Sequence, residues 1–237
     1  MKTVQKGRKV AVKFFLNQLI EPVTGEKGEA YYPLYIQVTY NRKNMQLKSM
    51  YGEYYEDLNE VKPGLMEFEE RILRNIIAYE TGQKLAGDDY DLKGLKRKYE
   101  VYATSVSFAL ENYLKPKLRL AILKTNHELT TVLHFNQLNA TVARLYKAAQ
   151  LLFKDFDSQL TAKLKEELMA YGHYQTLEPQ PVFTYTFPTV MDWVDGSYKM
   201  ELEKKLKATY KNKPEVIKKV MQLVDQAVTE KMKQLGS

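Results

Sequence analysis

Histidine and carboxylate side chains are where chemistry would start in this chain, and few of them stand in useful spacing. His127, His134 and His173 are the whole imidazole inventory. His127 and His134 would share one face of a helix. The HExxH pattern that would hold zinc and supply a general base is nevertheless absent. Asp88-Asp89 and Asp155-x-Asp157 are acidic pairs at expected loops or helix starts, where a carboxylate serves free backbone N–H groups. No GxxxxGK[ST] phosphate loop, GxGxxG turn or GxSxG nucleophile elbow occurs. With no cysteine, thiolate metal sites, cysteine nucleophiles and disulfides are all excluded. The sequence therefore predicts a non-enzymatic protein with no metal and no cofactor.

Basic side chains are the better lead. Lys9 and Lys13 precede or begin a run in which Val10, Val12, Phe14 and Leu16 alternate with other residues. Arg42, Lys43 and Lys48 lie on or beside a turn, Asn41-Arg42-Lys43-Asn44. That turn joins an alternating run, Leu34, Ile36, Val38 and Tyr40, to Met45-Gln46-Leu47-Lys48-Ser49. Period-two alternation on both sides of a short Asn-bounded turn predicts a β-hairpin. A thin sheet edged with Lys and Arg can straddle phosphates or enter a groove. The competing reading is a charged edge that blocks unwanted strand pairing.

The elements that would position these residues follow from periodicity. Residues 10–50 read as a three-stranded antiparallel sheet with a polar connection at 21–33. Leu65, Phe68, Ile72, Ile76 and Tyr79 then form one apolar helical stripe, ended by Gly82 and Gly87. A second helix is expected from Leu92 to Leu114, stopped or kinked by Pro116. Residues 117–171 read as further helices, with Ser158 a candidate cap and Gly172 at a C-terminal end. Pro179, Pro181 and Pro188 bracket an extended segment containing Phe183, Tyr185 and Phe187. Helices are expected at 189–210, which contains Trp193, and at 214–235, with Pro214 in the first turn. The fold class is thus α+β: a small N-terminal antiparallel sheet followed by a mainly α-helical region. The expected parts are a β domain at 1–56, a helical domain at 57–172, an extended strap at 173–190 and C-terminal helices at 191–237.

Composition bounds the partners. The 237 residues are 44% hydrophobic, enough for a core. No apolar run approaches the roughly 20 residues of a bilayer span, and the basic N-terminus lacks the apolar core of a secretory leader. A net charge of +7 favours polyanions. It is unevenly placed: residues 1–50 carry +6, 51–90 carry −6 and 91–125 carry +5. Adjacent blocks of opposite sign suit head-to-tail contact between copies, or are ordinary solvated faces. Eighteen tyrosines also suit wet interfaces. Tyr32, Tyr54, Tyr55, Phe183, Tyr185, Phe187 and Trp193 are the candidate partner-facing aromatics.

VKFFLN at 12–17 and YYPLYIQVTYNRKNMQLKS at 31–49 resemble the N-terminal arm-binding domain of tyrosine recombinases from Bacteroidetes mobile elements and phages. Pro33-Leu34-Tyr35-Ile36-Gln37-Val38-Thr39 follows that family's pattern, with Gln37 where arginine is common. The resemblance implies a DNA-binding sheet, with Arg42, Lys43 and Lys48 as contacts. The recombinase HxxR box is missing: His127, His134 and His173 are followed by Glu-Leu-Thr, Phe-Asn-Gln and Tyr-Gln-Thr. The chain as a whole looks similar to structural proteins of crAss-like tailed phages. That likeness implies a virion protein, assembled in the bacterial cytoplasm, which oligomerises with itself and meets portal, ring or tail proteins. It would act in the head–tail connector. The alternative is a DNA-binding accessory protein of a phage or mobile element.

Overall fold

The structure is a computed structural model that describes residues 10–82, 90, 92–125, 140–178, 185 and 187–236. It has two compact units: Met1–Ala103 with Phe183–Thr186, and Thr104–Val182 with Phe187–Ser237. The chain is α+β, as its periodicity predicts. The boundary falls after Ala103 rather than after residue 56, because the first helices close the core of the sheet.

The first unit is organised around one long strand. β1 (Ala11–Leu16), β2 (Val23–Thr24), β4 (Lys43–Lys48) and β5 (Tyr54–Tyr55) all pair antiparallel with β3 (Ala30–Tyr40). The sheet therefore has five strands rather than the expected three; the two added ones are only two residues long. Strand β1 runs from Ala11 opposite Thr39 to Leu16 opposite Leu34, and β4 from Lys43 opposite Tyr40 to Lys48 opposite Tyr35. The even positions of β3 (Leu34, Ile36, Val38 and Tyr40) are buried, and Leu47 joins them. Phe14 and Leu16 pack with Leu34, Val61 and Leu65, the last of which lies on α1 (Pro63–Gly82). Helix α1 buries Leu65, Phe68, Ile72 and Ile76, the stripe legible in the sequence. A short second helix, α2 (Leu95–Tyr102), is tied to α1 by a 2.6 Å ion pair from Lys98 to Glu80.

The second unit is helical in all its described elements: α3 (Val106–Thr125), α4 (Val142–Leu152), α5 (Phe156–Gln159), α6 (Ala162–Leu177), α7 (Val190–Val194), α8 (Ser197–Thr209) and α9 (Pro214–Met232). Helix α9 packs on α3 and α6. Leu110, Leu114, Leu118 and Ile122 of α3, Leu168 and Tyr174 of α6, and Leu223 and Val224 of α9 are buried.

Several boundaries differ from the periodic reading, each for a local reason. The helix expected over 92–114 is broken at 103–105. There the Thr104 carbonyl accepts from Val190 N (2.8 Å), and Val106 N donates to the Pro188 carbonyl (2.9 Å). These bonds pair the backbone sideways, with Ser105 opposite Thr189, so the helical ladder cannot continue. Pro116 does not stop α3, which runs through it with the ring on the exposed side. Gly172 is internal to α6, which continues to Leu177. The cap of α6 is Thr161, whose Oγ1 accepts from Leu164 N at 3.2 Å, not Ser158. Gly196 adopts φ 88° and separates α7 from α8, a left-handed conformation that a side chain would resist.

Candidate functional site

The alternation of the sheet leaves a second face, opposite the core, built from the odd positions of β3. Three rows cross it: Ala11–Thr39–Asn44, Lys13–Gln37–Gln46 and Phe15–Tyr35–Lys48. Thr39 Oγ1 donates to Asn44 Oδ1 at 2.7 Å. The rings of Phe15 and Tyr35 lie 6.0 Å apart, and Lys48 Nζ sits 5.0 Å from the Tyr54 ring centre. Lys13, Gln46 and Lys48 are exposed. This face offers ammonium groups for phosphate oxygens and side-chain amides that can read base edges.

The candidate DNA contacts divide over this geometry. Lys13 and Lys48 share the outer face. Arg42 is exposed at the hairpin tip. Asn41 and Arg42 have φ of 53° and 66°, so the turn is the two-residue mirror-image type, narrower than the four residues read from sequence. Lys43 departs from the expectation: it stands opposite Tyr40, in register with the core-facing side, and is not grouped with Lys13 and Lys48. Lys9 lies outside the described residues. Gln46, Phe15 and Tyr35 complete this face: every second residue outward from the turn, beginning with Thr39 and Asn44, leads to Tyr35 and Gln46, and pairing with β3 adds Phe15.

The candidate partner-facing aromatics also separate. Tyr54 is exposed and Tyr32 half-buried. Tyr55 and Tyr185 pack against the Leu34–Val61–Leu65 cluster, and the Tyr185 ring lies 6.5 Å from that of Phe68. Trp193, expected to face a partner, is instead buried: it is 4% exposed, and its Nε1 donates to Asp225 Oδ1 at 3.0 Å within the helical unit. Phe187 is half-buried, and Phe183 lies outside the described residues.

Among the described residues no group of three or more His, Asp or Glu is placed to hold a metal ion. His127, His134 and Asp88-Asp89 lie outside those residues. His173 Nδ1 is 3.0 Å from Tyr210 Oη, and Asp157 takes hydrogen bonds from Tyr146 and Gln150. The buried carboxylates join elements together. Glu69 Oε1 accepts from Ser49 Oγ, Met50 N and the Tyr99 hydroxyl. Burial outweighs these bonds and pushes the Glu69 pKa up. Glu111 accepts from Val142 N (2.8 Å) and the Tyr171 hydroxyl, which ties α3 to the start of α4 and to α6. Glu167 pairs with Lys117 at 2.8 Å.

The second unit displays large apolar side chains to solvent. Leu151 is 79% exposed beside Leu152 at the end of α4, and Leu120 and Leu123 are exposed one turn apart on α3. No helix is long and apolar enough to cross a membrane among the described residues. Compared with known proteins, the chain matches no family model, no curated protein and no solved structure.

Proposed function

We propose that this chain is a non-enzymatic structural protein of a tailed-phage virion, a ring or adaptor of the head–tail connector that assembles with copies of itself. The carrying observation is the pairing of a closed helical core with exposed leucines at 120, 123, 151 and 152. Apolar side chains left outside a filled core lower the free energy of association by roughly 25 cal/mol per Å² once a neighbour covers them. The likeness to crAss-like phage structural proteins gives the setting, and the alternating charge blocks supply attraction between successive copies. Antibody labelling of purified particles of the source phage tests this reading. Label confined to the neck supports it; its absence, or label spread over the capsid, overturns it.

The outer sheet face favours a second reading, a DNA-binding accessory protein that keeps an arm-like sheet without a recombinase domain. Lys13 shares a row with Gln37 and Gln46 there, and Lys48 stands in the next row. Affinity for duplex DNA that falls steeply with salt, through Lys13 and Lys48, would support this reading. Affinity indifferent to both lysines would remove it.

A further inference from the structure

The connection after β1 holds a leucine out into solvent. Leu19 is 98% exposed, the highest value among the large apolar side chains of the described residues, and Ile20 and Val23 nearby are exposed as well. The turn that carries them is braced. Asn17 Oδ1 accepts from Leu19 N at 3.2 Å, the Asn17 carbonyl accepts from Ile20 N at 3.4 Å, and Asn17 N donates to the Pro33 carbonyl at 3.1 Å. The last bond anchors the turn to the central strand. Glu21 follows directly and is exposed. The result is an apolar knob with a carboxylate at its side.

The helical unit has a recess of the opposite character. Between α3 and α6 lies a groove of about 320 Å³, floored by Leu120, Ala121 and Leu164 and rimmed by Lys117, Lys124 and Lys163. Lys117 is paired with Glu167. Lys124 and Lys163 are exposed on either side of the opening. An apolar floor between two ammonium groups is complementary to a short apolar turn that ends in a carboxylate.

We propose that the Leu19–Ile20–Glu21 turn of one copy docks in the α3–α6 groove of the next. Leu19 and Ile20 lie on the leucine floor, and Glu21 meets Lys124 and Lys163. Knob and groove are different surfaces, so the contact is head-to-tail: it propagates, and it closes into a ring when the rotation between copies allows. The inference deepens the connector reading by naming the contact between copies, and rests on that reading's self-association.

Because the chain has no cysteine, disulfide trapping tests the contact directly. Full-length Leu19→Cys and Leu120→Cys chains are mixed under mild oxidation, and the cross-linked peptides are mapped. Both positions are exposed, so neither change disturbs a core. The expected product is a dimer joined from position 19 of one chain to position 120 of the other, in excess over both homodimers. Adding Lys124→Glu and Lys163→Glu to the Leu120→Cys chain should lower that yield severalfold, and Glu21→Lys on the other chain should restore it. A chain carrying both cysteines should give a ladder of oligomers. Statistical homodimers alone, a link within one chain, or a yield indifferent to the charge changes would overturn the inference. These readouts need no virion. A trapped 19–120 contact in a chain absent from particles would sink the connector reading alone. Presence in particles without the trapped contact would sink this inference alone.

Discussion

Ser49 Oγ donates to Glu69 Oε1 across 2.8 Å, joining the end of the sheet to the middle of α1. Met50 N, at 3.0 Å, and the Tyr99 hydroxyl converge on the same oxygen. One buried carboxyl thus fixes where the chain leaves β4 and where α2 rests. Glu69→Ala strands three donors, at about 1–3 kcal/mol each if they stay dry. Faster hydrogen exchange at the Met50 amide would report the loss. Unchanged protection there would contradict the assignment.

Burial raises the Glu69 pKa above its ordinary 4.5, so the folded state holds the proton more tightly than the unfolded chain. The stabilisation is complete below pH 4.5 and is lost as pH rises through the folded value. Stability of the sheet unit should therefore decline across that interval. Glu69→Gln should remove the decline. Exchange of the Met50 amide measured over a pH series, corrected for intrinsic rates, checks both statements.

Arg42 occupies a left-handed position, φ 66°, where an L side chain is disfavoured and glycine is preferred. Arg42→Gly should stabilise the hairpin by about 0.5–1 kcal/mol, the cost of about 1–2 kcal/mol for an L residue in the left-handed region less the extra chain entropy of glycine. Slower exchange in β3 and β4 would show it. A loss of protection would mean that the arginine side chain contributes more to the hairpin than its backbone costs.

Pro116 lies inside α3 without ending it. It removes one N–H from the ladder and crowds the preceding turn, a penalty of about 3 kcal/mol in an undistorted interior. Pro116→Ala should raise the melting temperature of the helical unit. Trp193, the only tryptophan, is buried in that unit and serves as its fluorescence probe. A lower melting temperature would show that the proline ring contributes more to the packing of α3 than it costs the helix.

Lys13 and Lys48 define the outer face of the sheet, so any binding of duplex DNA there should lose about one unit of salt slope for each lysine changed to alanine. Lys43→Ala should leave the slope nearly unchanged, because Lys43 belongs to the other side of the sheet. Titrations at several salt concentrations give these slopes, and equal effects from all three lysines would contradict the division.

The sheet was legible in the sequence because alternation at Leu34, Ile36, Val38 and Tyr40 leaves one register that buries them all. The stripe of α1 was legible for the same reason at helical spacing. The break at 103–105 was not, since its cause is a backbone pairing with Pro188 and Val190, more than 80 residues away. Runs that bury Tyr99 and Val106 keep helical phase across that break, so periodicity saw one helix where there are two. The outer face was half legible. Its lysines stood out by charge. Gln46 and Phe15 enter the site only through register, which turns on whether Lys43 belongs to the turn or to the strand. Composition cannot tell an aromatic at an interface from one such as Trp193, whose ring is buried in the helical unit while its N–H reaches the exposed Asp225.

A connector component, as proposed above, is present in every particle in a fixed ratio to the portal. Quantitative mass spectrometry of purified particles, normalised to the portal protein, measures that ratio. The expected copy number equals the portal's or is a simple multiple of it. Absence from particles, with abundance in infected cells, would contradict it.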